Sequence, residues 1–153
     1  MAGAAEQELM AEPVNHHKML AWAASVREIV AKPPGSDEGF SAESIARYAQ
    51  SDFFSFSTWA IVCEEVRDTQ FPYVYFERAH EELRRRGLSD DDIAEMRYFA
   101  WLTTGWLNYE CMLWDWVNLD ENDIVRAIEW QYRDGWISAE ARDNRLAYVR
   151  QYA

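Results

Sequence analysis

The sequence is poor in the residues that most catalytic and metal sites require. It contains two cysteines, three histidines and six glycines in 153 residues. It has no Gly-x-Ser-x-Gly turn and no glycine-rich phosphate loop, which excludes the common signatures of serine hydrolases and nucleotide-binding proteins. Cys63 and Cys111 match no zinc or redox spacing, so we interpret them as free thiols, as is typical in a reducing compartment.

Basic residues are also scarce. Lysine and arginine total 15 against 27 aspartates and glutamates, which gives a formal net charge of -12. Direct binding to nucleic acid or to an anionic membrane surface requires basic patches, so the composition argues against both. The excess of carboxylates favours a basic protein as partner, because opposite charge speeds the encounter.

The chain lacks an apolar run that would span a bilayer. The nearest candidate covers residues 98–117, and it includes Asn108, Glu110 and Asp115. The N-terminal stretch MAGAAEQELMAEP has neither the basic start nor the apolar segment of a signal peptide. We therefore predict a soluble, cytoplasmic protein without membrane contact.

Length and composition predict one globular domain. A chain of 153 residues has the size of a single domain, and its 49% of apolar residues is near the globular average. We divide it into an N-terminal arm, residues 1–14, and one helical domain, residues 15–153. Eight tryptophans, eight tyrosines and seven phenylalanines predict a core built from large rings, and some of these rings would also suit an interface.

The stretch from Ser89 to Leu119 predicts the central element of the fold. Ser89 is a good N-cap, and the three aspartates that follow it oppose the positive end of a helix dipole. Apolar and aromatic residues then recur every three or four positions, at Tyr98, Leu102, Trp106, Tyr109, Leu113 and Trp116. We predict an all-α, single-domain bundle of six or seven helices around one long central helix, at about 89–117.

Caps and breakers predict the helices around it. The expected spans are about 16–31, 41–50, 52–68, 72–86, 120–134 and 138–151, delimited by capping residues, by Pro72 and by the glycines at 87 and 135. The start of the 52–68 span is ambiguous, because Ser51–Thr58 alternates serine with phenylalanine as a strand would. We predict a helix there with a kink or a new start near Ser55.

A mostly polar stripe on the central helix is the candidate for a small-molecule pocket. Its members are Trp101, Thr104, Asn108, Cys111 and Asp115, with Glu110 beside them. A carboxylate placed among aromatic walls is able to act as a general acid or base. The alternative is an inactive hydrogen-bonded network, with Arg97 or an arginine of another helix as the partner of the carboxylate.

Glu77 and His80 form a Glu-x-x-His pair, a spacing that di-iron bundles use because positions i and i+3 share a helix face. Such bundles need two pairs, and the remaining histidines, His16 and His17, lie near the N-terminus. We interpret the pair as an ordinary surface contact and predict no metal and no cofactor. A carboxylate–histidine metal site is the weakest of our alternatives.

Acidic and aromatic residues cluster around the predicted end of the central helix. No basic residue occurs between Arg97 and Arg126. The candidate partner-binding residues are Asp115, Trp116, Asp120, Glu121, Asp123 and Trp130, with Trp114 nearby. The aspartates also coincide with a helix start, where the dipole alone would favour them.

These patterns lead to one preferred hypothesis and two alternatives, of which the carboxylate–histidine metal site is the weaker. The preferred hypothesis is an acidic, non-enzymatic interaction protein that binds a basic partner protein. Inhibitor, immunity and antitoxin-type proteins fit this description, as do phage proteins that mimic nucleic acid. The stronger alternative is a small-molecule-binding protein or enzyme that uses the polar stripe. The sequence leaves homo-oligomerisation open.

Overall fold

The structure is a computed structural model that describes residues 12–112 and 118–153. This part of the chain contains seven α-helices and no strand, which confirms the predicted all-α bundle. In chain order the helices are α1 (His16–Val30), α2 (Ala42–Tyr48), α3 (Thr58–Val62), α4 (Tyr73–Arg85), α5 (Asp90–Ala100), α6 (Glu121–Arg133) and α7 (Ala139–Gln151). A 3-10 helix (Cys63–Val66) extends α3, and a π-helix (Trp101–Glu110) extends α5.

Local capping explains where the helices begin. Ser89 accepts a hydrogen bond from the N–H of Asp92, whose carboxylate accepts one from the N–H of Ser89 at 2.9 Å, so the two residues form a capping box. The hydroxyl groups of Ser41, Ser57 and Ser138 cap α2, α3 and α7. Each cap satisfies backbone N–H groups that the first helical turn leaves without an acceptor.

The helix that we predict at 52–68 is shorter in the structure. It begins at Thr58 and continues through the 3-10 helix to Val66. In the loop before it, Asp52 accepts a hydrogen bond from the N–H of Phe54 at 2.9 Å. An aspartate that bonds the backbone two residues further on closes a local turn, which competes with helix formation.

The α5 helix and the π-helix form one continuous rod from Asp90 to Glu110. This rod contacts α1, α3, α4, the 3-10 helix and α6, while α2 packs on α4 and α7 packs on α6. Met96 and Trp106 of the rod are fully buried, as are Trp59 and Ile128 on the elements that surround it. The prediction of a central helix is therefore confirmed, with a change of helix type in its second half.

In the π-helix each N–H pairs with the carbonyl five residues earlier. The bond at its end joins the N–H of Cys111 to the carbonyl of Trp106 at 2.9 Å. Thr103 and Thr104 donate their hydroxyl hydrogens to the carbonyls four residues before them, at 2.8 and 2.9 Å. Those carbonyls are the acceptors that an α-helix would use, so the two hydroxyls compete with the α-helical ladder.

Neighbouring helices also donate hydrogen bonds to this part of the rod. The indole of Trp22 donates to the carbonyl of Trp101 at 3.2 Å, and the amide of Gln131 donates to the carbonyl of Leu102 at 2.8 Å. The four consecutive carbonyls of residues 99–102 therefore all accept side-chain hydrogen bonds. Two of these donors, Trp22 and Gln131, are distant in the sequence. Local periodicity does not include such contacts, so it predicts an α-helix here.

The rod ends at Glu110, before the predicted end near residue 117. Met112 has a φ of 57°, in the left-handed region that a right-handed helix does not include. Residues 113–117 of the predicted span lie outside the described residues, as do residues 1–11 of the predicted N-terminal arm. Across the described ranges, no helix combines the length and the apolar character needed to cross a membrane.

Candidate protein-docking face and the predicted pocket

The turn before α6 carries three of the predicted partner-binding residues. Asp120 is the N-cap: its carboxylate accepts from the N–H of Asn122 at 2.9 Å, and its own N–H donates to Asp123 at 3.0 Å. Glu121, the first residue of the helix, accepts a hydrogen bond from the hydroxyl of Ser57 at 2.7 Å. All three carboxylates are half-buried, so they are fixed in position while part of each faces solvent.

A loop next to this turn presents an exposed phenylalanine. Phe53 is 3% exposed and belongs to the core, whereas Phe54 is 78% exposed. The guanidinium of Arg86 donates to the carbonyls of Phe53, Phe54 and Phe56, at 3.2, 3.3 and 2.7 Å. It also donates to the hydroxyl of Thr58 at 3.1 Å. The ring of Phe54 is therefore displayed on a backbone that is fixed by hydrogen bonds.

The loop and the acidic turn meet at the hydrogen bond between Ser57 and Glu121. An open cavity of about 390 Å³ lies there, and its lining includes Ser55, Asn118 and Asp120. We name the surface formed by Phe54, Asp120 and Glu121 the acidic docking face. It combines an exposed ring with carboxylates, and protein interfaces use these two features for affinity and for steering.

Of the other predicted partner-binding residues, Trp130 lies in the described part of the chain. Its ring is half-buried and packs against the core. Asp115, Trp116 and the nearby Trp114 lie outside the described residues. Phe54 was not among the predicted residues, because nothing in the segment DFFSF distinguishes an outward ring from an inward one.

Two members of the predicted pocket stripe lie in the core. Thr104 is 1% exposed and Asn108 is 2% exposed. The hydroxyl of Thr104 donates within the rod, and the side-chain amide of Asn108 donates to the carbonyl of Val66 at 3.2 Å. These side chains fill space between the rod and the 3-10 helix, which counts against a cavity along the stripe.

The other described members of the stripe are more exposed to solvent than Thr104 and Asn108. Trp101 is half-buried, Glu110 is exposed and Cys111 is half-buried, while Asp115 lies outside the described residues. Burial raises the pKa of the Cys111 thiol, and the carboxylates of Asp134 and Glu110 raise it further, so it is a poor nucleophile. A π-helix holds more residues per turn than an α-helix, so positions that share a face in an α-helix no longer align.

Arg97, the arginine named in the alternative to a pocket, takes part in a half-buried network in which its carboxylate partner is Glu65. Its Nε and Nη2 donate to the two oxygens of Glu65 at 2.6 and 3.0 Å, and the indole of Trp101 donates to the same carboxylate at 3.1 Å. Arg97 also donates to the carbonyls of Val30 and Lys32, at 3.4 and 3.2 Å. The network therefore joins the rod, the 3-10 helix and the linker after α1.

A second carboxylate, Glu64, is completely buried at 0% exposure. Its Oε2 accepts from the phenol of Tyr75 at 2.5 Å and from Arg67 at 2.9 Å. Its Oε1 has no hydrogen-bond partner within the described ranges. Burial raises the pKa of Tyr75, and the hydrogen bond to Glu64 raises it further, so the phenol remains a donor. Sequence reasoning missed this pair, because burial of a glutamate depends on partners from other elements.

Glu77 and His80, the candidate metal residues, line the same cavity of about 630 Å³ beside the linker after α1. Burial is the main cause that lowers the pKa of His80 below its ordinary value, so the imidazole is neutral near pH 7. Neutral imidazole is the form that binds metal. Yet no three His, Cys, Asp or Glu side chains within residues 12–112 and 118–153 gather as metal ligands would.

Comparison of the chain with protein-family models, with curated proteins and with solved structures gives no match. On the described surface, the acidic docking face combines an exposed ring with carboxylates at fixed positions.

Proposed function

We propose that this chain is a non-enzymatic interaction protein that binds a basic protein partner through the acidic docking face. The observation that carries the proposal is the exposed ring of Phe54, on a loop that Arg86 fixes and that the hydrogen bond from Ser57 joins to Glu121. A ring on a fixed loop loses little conformational freedom when a partner covers it, and its burial removes apolar surface from water. An inhibitor, immunity or antitoxin-type protein, or a nucleic-acid mimic, would use such a face to cover a basic site.

The distribution of charge supports a basic partner. Seven arginines already have a carboxylate partner: Arg67, Arg78, Arg84, Arg85, Arg86, Arg97 and Arg142. These salt bridges pair basic side chains with carboxylates of the same chain, and the net charge of -12 means that a large excess of carboxylates remains. Such an excess attracts a basic surface over roughly one Debye length, about 8 Å at physiological salt.

The two cysteines favour a reducing compartment. Cys63 is buried and Cys111 is half-buried, and both are free thiols. Burial raises the pKa of both, which keeps them in the less reactive thiol form. We therefore infer that the protein acts in the cytoplasm, where such thiols persist.

Glu121 is the carboxylate of the face that is best suited to a charge reversal. Asp120 and Asp123 form the capping box of α6, so substitution of either would also cost about 0.5–2 kcal/mol of stability. Glu121→Lys reverses the charge at this position without removing the cap. The matched control is Glu140→Lys, because Glu140 is an exposed residue in the first turn of α7.

Phe54→Ser tests the ring separately from the charge. The matched control is Val14→Ser, because Val14 is another exposed apolar side chain, at 79% exposure. Circular dichroism of each variant shows whether the fold is retained. Neither substitution removes a buried side chain, so we expect the helical spectrum to be unchanged.

Affinity capture from the organism that makes the protein, with quantitative mass spectrometry of all five forms, tests the proposal. We expect a basic protein that the unaltered chain and both controls retain, and that Phe54→Ser and Glu121→Lys each reduce by about tenfold or more. The captured protein should elute as salt rises. Equal capture by all five forms, or capture of further copies of this chain alone, would contradict the proposal.

A further inference from the structure

A second groove, which shares no lining residue with the acidic docking face, lies between α1, the rod and the start of α7. Its volume is about 330 Å³, near the lower end of the range of about 300–1,000 Å³ for small-molecule pockets. Its floor consists of buried apolar side chains, chiefly Met19, Leu102, Trp136 and Ile137. We name it the α1–α7 groove.

Two arginines line this groove, and neither has a carboxylate partner in the described part of the chain. Arg145 of α7 is half-buried, and its Nη1 donates to the side-chain oxygen of Gln131 at 3.0 Å. Arg27 of α1 lies over the ring of Tyr98, with its Cζ 5.0 Å from the ring centroid. Arg27 and Arg145 thus have no carboxylate partner among the described residues, whereas the seven arginines named above each form a salt bridge.

Arg145 is a half-buried guanidinium whose hydrogen-bond partner is a neutral amide, so no carboxylate among the described residues forms a salt bridge that balances its charge. Burial lowers the pKa of Arg145 below its ordinary value, because removal from water disfavours the charged form. Charged side chains are rarely buried without a partner of opposite charge. A chain with 27 acidic residues places none of its described carboxylates beside this arginine, so the site is open to an external anion.

Gln131 holds Arg145 in position at the groove. The side chain of Gln131 is fully buried, and its Nε2 donates to the carbonyl of Leu102 at 2.8 Å. That bond leaves Oε1 as the acceptor for Arg145. The guanidinium is thus fixed before a ligand arrives, which lowers the entropic cost of binding.

We propose that the α1–α7 groove binds an amphiphilic carboxylate, with its head group between Arg27 and Arg145 and its apolar tail on the buried floor. A guanidinium offers parallel N–H donors that match the two oxygens of a carboxylate. The floor offers apolar side chains, so charge recognises the head and burial of apolar surface retains the tail. Medium-chain fatty acids and arylalkanoic acids have this chemistry.

Isothermal titration calorimetry of the full chain with decanoate, acetate and decanol tests the proposal. Decanoate has both head and tail, acetate has the head, and decanol has the tail. We expect one decanoate per chain, and binding weaker by about tenfold or more for acetate and decanol, which corresponds to about 1.4 kcal/mol. Equal affinities for decanol and decanoate, or no binding of decanoate, would overturn the proposal.

Substitutions of the two arginines test whether decanoate binds in the α1–α7 groove. Arg27→Met removes an exposed charge, so we expect an intact fold, decanoate binding weaker by about tenfold, and unchanged decanol binding. Arg145→Met should act in the same way, with its fold checked by circular dichroism because Gln131 loses its donor. Arg150→Met, an exposed control on the same helix, should stay within about twofold. Unchanged decanoate affinity in Arg27→Met would refute the assignment.

The groove and the docking face are tested independently of each other. Glu121→Lys alters the docking face and should leave decanoate binding unchanged, because Glu121 does not line the groove. Arg27→Met should likewise leave capture of the basic partner unchanged. Failure of either experiment therefore leaves the other proposal intact.

Discussion

Among single residues of the described ranges, Arg86 forms the largest set of side-chain hydrogen bonds to the loop of the acidic docking face. It connects the end of α4 to the loop that carries Phe54 through bonds to three carbonyls and one hydroxyl. The carboxylate of Glu82 lies 3.6 Å from the same guanidinium, so its charge is balanced from the side of the helix. Hydrogen bonds from a charged donor contribute more than those between neutral groups.

Replacement of Arg86 by alanine should lower the free energy of unfolding by about 2–4 kcal/mol, because four acceptors lose a charged donor. Urea denaturation followed by circular dichroism measures this change. Arg85→Ala is the matched control: Arg85 is largely exposed and forms a salt bridge with Glu82, so we expect a loss of about 0–1 kcal/mol. Similar losses for both variants would show that Arg86 does not hold the loop.

At the same scale, the exposure of single side chains was the property least accessible from the sequence. Phe53 and Phe54 are adjacent in a segment without periodicity, and Arg86, which fixes their backbone, is 32 residues from Phe54. Glu64 and Glu65 are also adjacent, and their burial depends on Tyr75 and on the distant residue 97. Such assignments require the tertiary contacts that the sequence pattern does not contain.

Among the elements, the helix starts other than that of α3 were predictable, and the type of the second half of the rod was not. The observed starts of α2, α5, α6 and α7 agree with the predicted spans, because the cap at each start is a hydrogen bond between residues two or three positions apart. The π-helix depends instead on donors from α1 and α6. Its geometry separates the members of the predicted pocket stripe, so the helix type determines which of these residues share a face.

Gly105 is a position in the π-helix at which an added methyl group would clash with a neighbouring ring. In an exposed helix, substitution of glycine by alanine stabilises by about 1 kcal/mol. Here the added Cβ would lie 2.7 Å from Cε3 of Trp101, whose ring stacks on Tyr109 and donates to Glu65. We therefore expect Gly105→Ala to lower the free energy of unfolding by about 1–3 kcal/mol, since the indole must move.

A double-mutant cycle with Trp101→Ala separates this clash from other effects. Once the indole is absent, Gly105→Ala should be neutral or stabilising, as helix propensity alone predicts. Urea denaturation of the four forms gives the coupling free energy. A stabilising effect of Gly105→Ala in the unaltered chain would contradict the expectation.

For the molecule as a whole, buried phenols and a buried thiol make stability sensitive to alkaline pH. Burial raises the pKa of Tyr75, Tyr148 and Cys63. In the unfolded chain tyrosine titrates near its ordinary pKa of about 10 and cysteine near about 8.5, so the unfolded state releases protons that the folded state keeps. The tyrosine contribution to stability is therefore complete below about pH 10 and is lost progressively above it.

Tyr148→Phe tests this dependence with little change at neutral pH. The Tyr148 hydroxyl is buried and has no hydrogen-bond partner among the described residues, so its removal should not reduce stability at pH 7. Between about pH 8 and about pH 11 the variant should lose less free energy of unfolding than the unaltered chain. Urea denaturation at both values measures the difference.

Tyr75→Phe is a second variant in which the pH dependence of the free energy of unfolding can be compared with that of Tyr148→Phe. It should have the same shallower alkaline decline, but it should lose about 1–2 kcal/mol at neutral pH because Glu64 loses a hydrogen-bond donor. Parallel pH profiles for the unaltered chain and both variants would show that these phenols do not cause the alkaline dependence.

The π-helix also determines where this chain is best able to tolerate a change in length. Each hydrogen-bonded ring of a π-helix encloses one residue more than the ring of an α-helix. Deletion of one residue between Trp101 and Glu110 would therefore allow part of the segment to adopt the α-helical hydrogen-bond pattern. The same deletion within α6 would rotate every following side chain by about 100° away from its partners. The second half of the rod is thus the helical segment in which we expect a single-residue deletion to be absorbed most readily.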